Sequence, residues 1–382
     1  MKGWSESHER SAMSSTVGVD EDGSPGSSAH LRTGSRHAPL RMKSWLEGFA
    51  RRLWRDEAGV AGRVVRLLLI PLEKTWWLAV ALRNRRFDDR GGMVVEGLRV
   101  ISVGNLAVGG TGKTPIASWV TRMLIDTGVH PAVLHGGYAM DEPALHRRWT
   151  PDAPVIVKRD RVAGAREALE LGAGAVVLDD GFQHRRLSRD VDLVMLAVED
   201  AFPGPLLPRG PYREPPEALE RASAIVLSRR TASELDARGL AEVVRIRVPE
   251  VPVIACAHLH PSNCRPLVGS SSGSVDLRSL GSVLVLTAVG RPDSVRRSVG
   301  DMVGAEVVLV AHADHHEFSE LDARSARRRA GSRPIVVTEK DAVKLERFAE
   351  ALGDCLVIED SLRWDWGEAA LRALIDRGGR GA

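Results

Sequence analysis

Cysteine is scarce in this chain. Three residues in 382, Cys256, Cys264 and Cys355, cannot build a disulfide framework, which excludes the small stapled secreted folds and favours a reducing compartment. Tyrosine is rarer still at two residues and phenylalanine has only six, so the nine tryptophans dominate a 4% aromatic content. No stretch reaches the roughly 18 apolar residues that a spanning helix needs. The first forty residues also hold no short apolar core of the kind a secretory leader requires, so neither a membrane span nor a leader is expected. A large excess of one charge is missing too: the formal charge is +3, and nothing in the sequence points to nucleic acid or to a protein partner.

What is present suits a two-domain α/β protein, with 43% hydrophobic and 27% charged residues. Residues 1–40 are rich in Ser, Gly and charge and have little to bury, which predicts disorder. Residues 41–90 carry twelve Lys/Arg against six Asp/Glu, so the basic character is local. Here Trp45, Phe49, Leu53 and Trp54 recur at helical spacing, and four of the nine tryptophans lie between Trp45 and Trp77. Such basic, Trp-rich helices either pack on the main domain or rest in an anionic membrane interface, and one helix can do both with different faces.

Beyond Arg90, short aliphatic runs alternate with amphipathic helices, as in "LRVISVGNL", "TPIASWVTRMLIDTG", "PAVLHG", "VAGAREALELGA" and "GAVVLDD". This pattern predicts a mostly parallel sheet of the phosphate-loop NTPase kind over residues 91–195. A similar texture over 196–375 predicts a smaller C-terminal α/β domain, with "LVGSSSGSVDLRS" as an exposed loop.

The chemistry starts at "VGNLAVGGTGKTP", residues 103–115. A strand, a glycine-rich loop and a helix start make a phosphate-binding loop, because the unpaired N–H groups and the helix dipole attract anions. Gly109, Gly110 and Gly112 let the backbone curl, Asn105 and Thr111 flank the turn, Lys113 reaches phosphate oxygens, and Thr114 is a Mg²⁺ ligand. Ala107 stands where the usual pattern has its first glycine, a small departure wherever φ is negative. Downstream, "AVVLDDGFQH" ends a strand in Asp179 and Asp180 at the same sheet edge, where a carboxylate can hold Mg²⁺ or its waters. A second cluster, Cys256, His258, His260 and Cys264, fits no structural zinc spacing and reads as an incidental strand.

In this order and separation, "VGNLAVGGTGKTP", "DDGFQH", "LPRGPYREP", "ADHHEF" and "TEKDAVKL" resemble the tetraacyldisaccharide 4'-kinase family, over about residues 45–345. The resemblance implies transfer of phosphate from Mg·ATP to the 4'-hydroxyl of tetraacyldisaccharide 1-phosphate, giving lipid IVA at the cytoplasmic face of the inner membrane. It implies a peripheral protein whose partners are the lipid substrate and the anionic membrane surface. It also implies Asp141 of "MDEP" as general base with His315 of "ADHHEF" behind it, Glu142 near the metal, and Arg213 with Glu214 at the cleft. Gln183 and His184 follow as polar cleft residues, and the small residue at Ala107 is itself typical. Relatives usually read Ser-Arg-Gly-Tyr-Gly where this chain has His135-Gly136-Gly137-Tyr138-Ala139, so an arginine is missing at Gly136. The segment before Asp141 is also short. These departures motivate an alternative, a nucleotide-binding membrane-associated switch or scaffold without transferase activity, while the basic Trp-rich helices speak against a soluble kinase of small metabolites.

Overall fold

Most strands of the sheet are aliphatic with no polar face to spare, so both of its sides must be covered there. The computed structural model describes residues 48–377 apart from 51, 55–57, 139, 253 and 270–272. The disorder expected for residues 1–40, and Trp45, lie outside these residues. Strands run β1 (Arg99–Asn105), β2 (Pro131–His135), β3 (Val155–Val157), β4 (Ala175–Asp179), β5 (Val191–Ala197), β6 (Ala224–Arg229), β7 (Ile254–Pro266), β8 (Val275–Asp276), β9 (Val283–Thr287), β10 (Val307–Ala311), β11 (Ile335–Thr338) and β12 (Cys355–Trp366). Helices are α1 (Gly59–Leu68), α2 (Ile70–Arg90), α3 (Lys113–Asp126), α4 (Asp141–Trp149), α5 (Arg161–Glu170), α6 (Glu234–Arg247), α7 (Pro292–Val303), α8 (Glu320–Ala330), α9 (Glu339–Leu345), α10 (Ala349–Leu352) and α11 (Glu368–Arg377).

All twelve strands belong to one sheet, in the order β10-β9-β11-β12-β7-β6-β5-β1-β4-β2-β3, with β8 beside β7. The pairing is parallel except where β7 meets β12 and β8. The sheet therefore consists of two parallel halves running in opposite directions, joined by the long β7/β12 ladder. That ladder carries register shifts at Glu359/Asp360 and Trp364/Trp366, and such bulges increase twist. Ser44–Ala382 forms one compact unit. The two α/β regions expected from the sequence share one sheet, whose parallel halves meet at the β7/β12 ladder.

One core cluster packs Ile101, Val103, Ile116, Val120, Val177 and Leu193 of the first half with Leu371 and Ile375 of α11. Another packs Leu284, Leu286, Phe318, Ala323, Ile335 and Leu345 of the second half. The segment expected as an exposed loop is partly built in: Val275 and Asp276 pair with β7, and Leu277 is fully buried.

The helices before the sheet dock on one loop. Glu73 of α2, almost buried, accepts from the Leu206 amide at 2.8 Å and from Arg209 at 2.7 Å. Trp54 and Trp76 donate their indole N–H to the carbonyls of Pro208 and Arg213, each at 3.0 Å. The opposite face is bare, with Val60, Val64, Leu67, Leu68, Leu72 and Trp77 exposed. Among the described residues, no helix is long and apolar enough to cross a membrane.

Candidate active site

The phosphate loop leaves β1 and enters α3 through Gly112, whose φ of 78° is left-handed. A Cβ there would also lie 2.5 Å from the Cδ1 of Leu259 of β7, which would have to move to admit one. Gly110 faces open space, as a backbone that closes on a bulky anion must. Ala107 pairs with Tyr212 in an antiparallel bridge, Val108 donates to the Pro211 carbonyl at 2.8 Å, and Arg213 donates to Leu106 at 2.7 Å. An extended, buried residue needs no glycine, which explains the departure at Ala107. Inside the turn, Asn105 donates to the Thr111 hydroxyl at 3.0 Å, while its own Oδ1 is buried without a hydrogen-bond partner. Such an orphaned acceptor beside a glycine cradle at a helix start fits a site built for a nucleotide's phosphates and their cation.

Asp179 and Asp180 diverge as neighbours at a strand end do. Asp179 is buried and receives His146 at 2.9 Å, and His146 meets Ser118 at 3.2 Å on its other ring nitrogen. Asp180 instead faces the loop, 3.5 Å from Lys113 and 3.2 Å from Arg213. Burial would raise its pKa, but Lys113 and Arg213 outweigh this and hold it down at about 2. Its φ of 59° is left-handed, a cost retained where the surroundings impose it. Of the carboxylates expected at the metal, Asp180 is therefore the one of the pair that reaches the loop. Thr114 lies in the first turn of α3, nearly buried.

Arg213 also donates to Gln183 at 3.2 Å, and Gln183 donates to the Asn105 carbonyl at 2.8 Å. Glu214 points the other way: it is buried and accepts from Asn84 at 2.9 Å and Arg221 at 3.1 Å, which ties α2 to the loop. His184 lies 3.5 Å from Arg161, and burial followed by that guanidinium lowers its pKa to about 4.

Asp141 and Glu142 begin α4, where the helix dipole favours carboxylates. Asp141 lies 3.1 Å from Nδ1 of His315 and 3.3 Å from Lys344 of α9. Burial opposes its charge, yet His315, Lys340 and Lys344 prevail and its pKa falls below the usual value. Glu142 meets His135 at 2.8 Å and Lys340 at 3.1 Å, and its carboxyl is likewise held down against burial. Lys340 also stands 3.3 Å from Nε2 of His315, which has a left-handed φ of 58°. Two strained non-glycine backbones, Asp180 and His315, thus flank one cleft. The second half comes close to the phosphate loop: a Cβ on Gly290 would lie 3.4 Å from the Gly110 amide and 3.2 Å from Asp314.

The shortened segment still delivers Asp141 to His315. The missing arginine at Gly136 has a structural counterpart, since a Cβ there would lie 2.5 Å from Arg161, a buried guanidinium whose charge Asp180 and Asp179 support against burial. Arg161, Lys340, Lys344, His135 and His146 escaped the reading of single residues. The two lysines lay within "TEKDAVKL", a motif without assigned roles, His135 stood in the departing motif without a role of its own, and nothing local marked Arg161 and His146. Among the described residues, Cys256, His258, His260 and Cys264 form no metal-ligating group.

Comparison with known proteins agrees with this geometry. The family model described as tetraacyldisaccharide-1-P 4'-kinase (LpxK) matches residues 65–141 and 139–378. A tetraacyldisaccharide 4'-kinase of Anaeromyxobacter dehalogenans (strain 2CP-C) is 39% identical over 338 residues, 79% of this chain and 88% of that protein. One of Syntrophus aciditrophicus is 34% identical over 337 residues, 77% of this chain and 88% of its own. The fold is similar to a crystal structure of the "apo" form of LpxK from Aquifex aeolicus in complex with ATP, with TM-score 0.63 and 24% identity, covering 82% of this chain and 99% of that one. A phosphate loop facing an ionised carboxylate, a second carboxylate backed by histidine and the match along most of the sequence lead to one assignment: the chain belongs to the tetraacyldisaccharide-1-P 4'-kinase family.

Proposed function

We propose that the protein transfers the γ-phosphate of ATP to the 4'-hydroxyl of tetraacyldisaccharide 1-phosphate, forming lipid IVA, as a peripheral protein on the cytoplasmic face of the inner membrane. The observation that carries this reading is the meeting of Asp141 and His315, 174 positions apart in sequence, beside the phosphate loop. A nucleotide switch needs the loop and Asp180 but not a carboxylate–imidazole pair, so the scaffold alternative has no observation in its favour.

The loop amides and Lys113 bind the triphosphate, and Thr114 with Asp180, supported by Glu142, would hold Mg²⁺, which neutralises charge on the phosphates when bound. Arg213 stabilises the charge of the moving phosphoryl group. Asp141 accepts the proton of the sugar hydroxyl, and His315 orients it. Contacts between the halves at Asp141–Lys344 and Glu142–Lys340 favour a closed cleft, which excludes water and so suppresses ATP hydrolysis.

The bare apolar face of α1 and α2 supports membrane contact. A cavity of about 380 Å³ lined by Arg83, Arg86, Arg90 and Arg186, together with Phe87 and Met93, lies at the end of α2 and suits anionic headgroups or the substrate's 1-phosphate. Transfer of labelled γ-phosphate from Mg·ATP to detergent-dispersed tetraacyldisaccharide 1-phosphate tests the proposal. The intact protein is expected to form product, and Asp141→Asn and Lys113→Ala to lose at least about 100-fold in rate. Nucleotide binding without transfer in the intact protein would reject it.

A further inference from the structure

We infer that His312, His316 and Asp322 form a second cation site, separate from the phosphate loop and suited to zinc or a cation of similar softness. Their ligand atoms lie within 4.8 Å of one another, and among the described residues this is the only grouping of three such side chains to come so close. Nε2 of His316 and Oδ2 of Asp322 are already 3.3 Å apart, the spacing two ligands have around a tetrahedral ion with bonds of about 2.0–2.1 Å. Two imidazoles and a carboxylate, with water in the fourth position, suit zinc and its neighbours better than Mg²⁺, which prefers oxygen ligands.

The surroundings are those of a ligand set held in place. The imidazoles of His312 and His316 stack at 4.5 Å and 18°, and Phe318 meets each edge-on at 5.3 Å, so their orientations are constrained. The His312 amide donates to Thr287 at 2.8 Å and the His316 amide to Ala313 at 3.0 Å, which pins both backbones. Ser319 donates to the Asp322 carboxylate from its amide at 2.8 Å and its hydroxyl at 2.6 Å, the outer-shell support that orients metal-binding carboxylates. A shared cation would draw both rings and the carboxylate together through a small rotation of one imidazole out of the stack. His315 lies between the two ligands in sequence, so an ion here would fasten the loop that carries it. The inference does not depend on the proposed reaction.

The test is calorimetric titration of the chelator-treated full chain with Zn²⁺ in excess Mg²⁺, which masks oxygen-rich sites. Cobalt absorption reports the geometry. The comparison is with His312→Phe, which keeps an aromatic ring against Phe318, and Asp322→Asn, which keeps the helix cap. The intact chain is expected to bind one more equivalent of zinc than His312→Phe, to show a tetrahedral cobalt band that the variant lacks, and to melt at a higher temperature with zinc only when the site is intact. Asp322→Asn should weaken that equivalent by at least roughly tenfold. Melting curves without metal establish that each variant folds; should His312→Phe not fold, Asp322→Asn decides alone. Equal stoichiometry and affinity in intact and variant chains, or no zinc binding at micromolar concentration, would overturn the site.

Discussion

His184 is a single residue on which acid stability should turn. Its folded pKa, about 4, lies below the ordinary value of 6.5, because burial and Arg161 disfavour the imidazolium. Between these values the unfolded chain binds the proton more readily than the folded one, so stability rises with pH across the window and falls as pH drops through it. Melting temperature should therefore decline from pH 6.5 toward pH 4, and His184→Gln should flatten that slope; an unchanged slope would mean that other groups carry it. Residues of this kind were only partly legible. Lys113 and Thr114 follow from local spacing, since a helix start after glycines has one chemistry. Asp141 and His315 look like surface residues until a family resemblance joins them. Lys340 and Lys344 are two of 53 basic side chains, and their partners lie 198 and 203 positions away, a pairing no local pattern encodes.

At the scale of elements, α1 and α2 combine a docked face and an exposed apolar face. Vesicles containing anionic lipid should bind the protein and neutral vesicles much less, with binding weakened as salt approaches a Debye length of about 8 Å. Leu68→Glu, on the exposed face, should reduce flotation with such vesicles while leaving the melting temperature within about 2 °C. Flotation equal to that of the intact protein would place the contact elsewhere. Most strands of the first half were legible because each is mainly aliphatic, and β1, β4, β5 and β6 are buried almost throughout, whereas the three-residue β3 is too short to show a pattern. β7 was legible as a strand but not as the junction of the sheet, since Pro261 and Pro266 interrupt it; β12 hid its nature because it mixes acids with tryptophans, and both are only partly covered along their length. α4 was not read from the sequence; it carries Pro143 in its first turn, where proline is tolerated.

For the whole molecule, the two halves meet through lysines of α9 and carboxylates of α4. Lys344 and Asp141 are both nearly buried, so Lys344→Met should cost about 3 kcal/mol in denaturant unfolding by stranding a buried charge. Lys340→Met, at a more open pair, should cost less. Adding Asp141→Asn to Lys344→Met should restore part of the loss, and an additive double variant would argue against direct coupling. The opposed directions of the half-sheets could not be read from sequence, because β12 pairs with β7 about a hundred residues upstream. That pairing bears on how the protein is made. During synthesis β7 and β11 leave the ribosome with an edge still open, and β12 fills the gap between them only after nearly all other elements have emerged. α11 then inserts Leu371 and Ile375 beneath the strands of the nucleotide-binding half. Until then the nascent chain has unsatisfied strand edges and an incomplete core on both sides, so the interval before residue 355 is emitted is when it most needs a chaperone and most readily pairs with a neighbour.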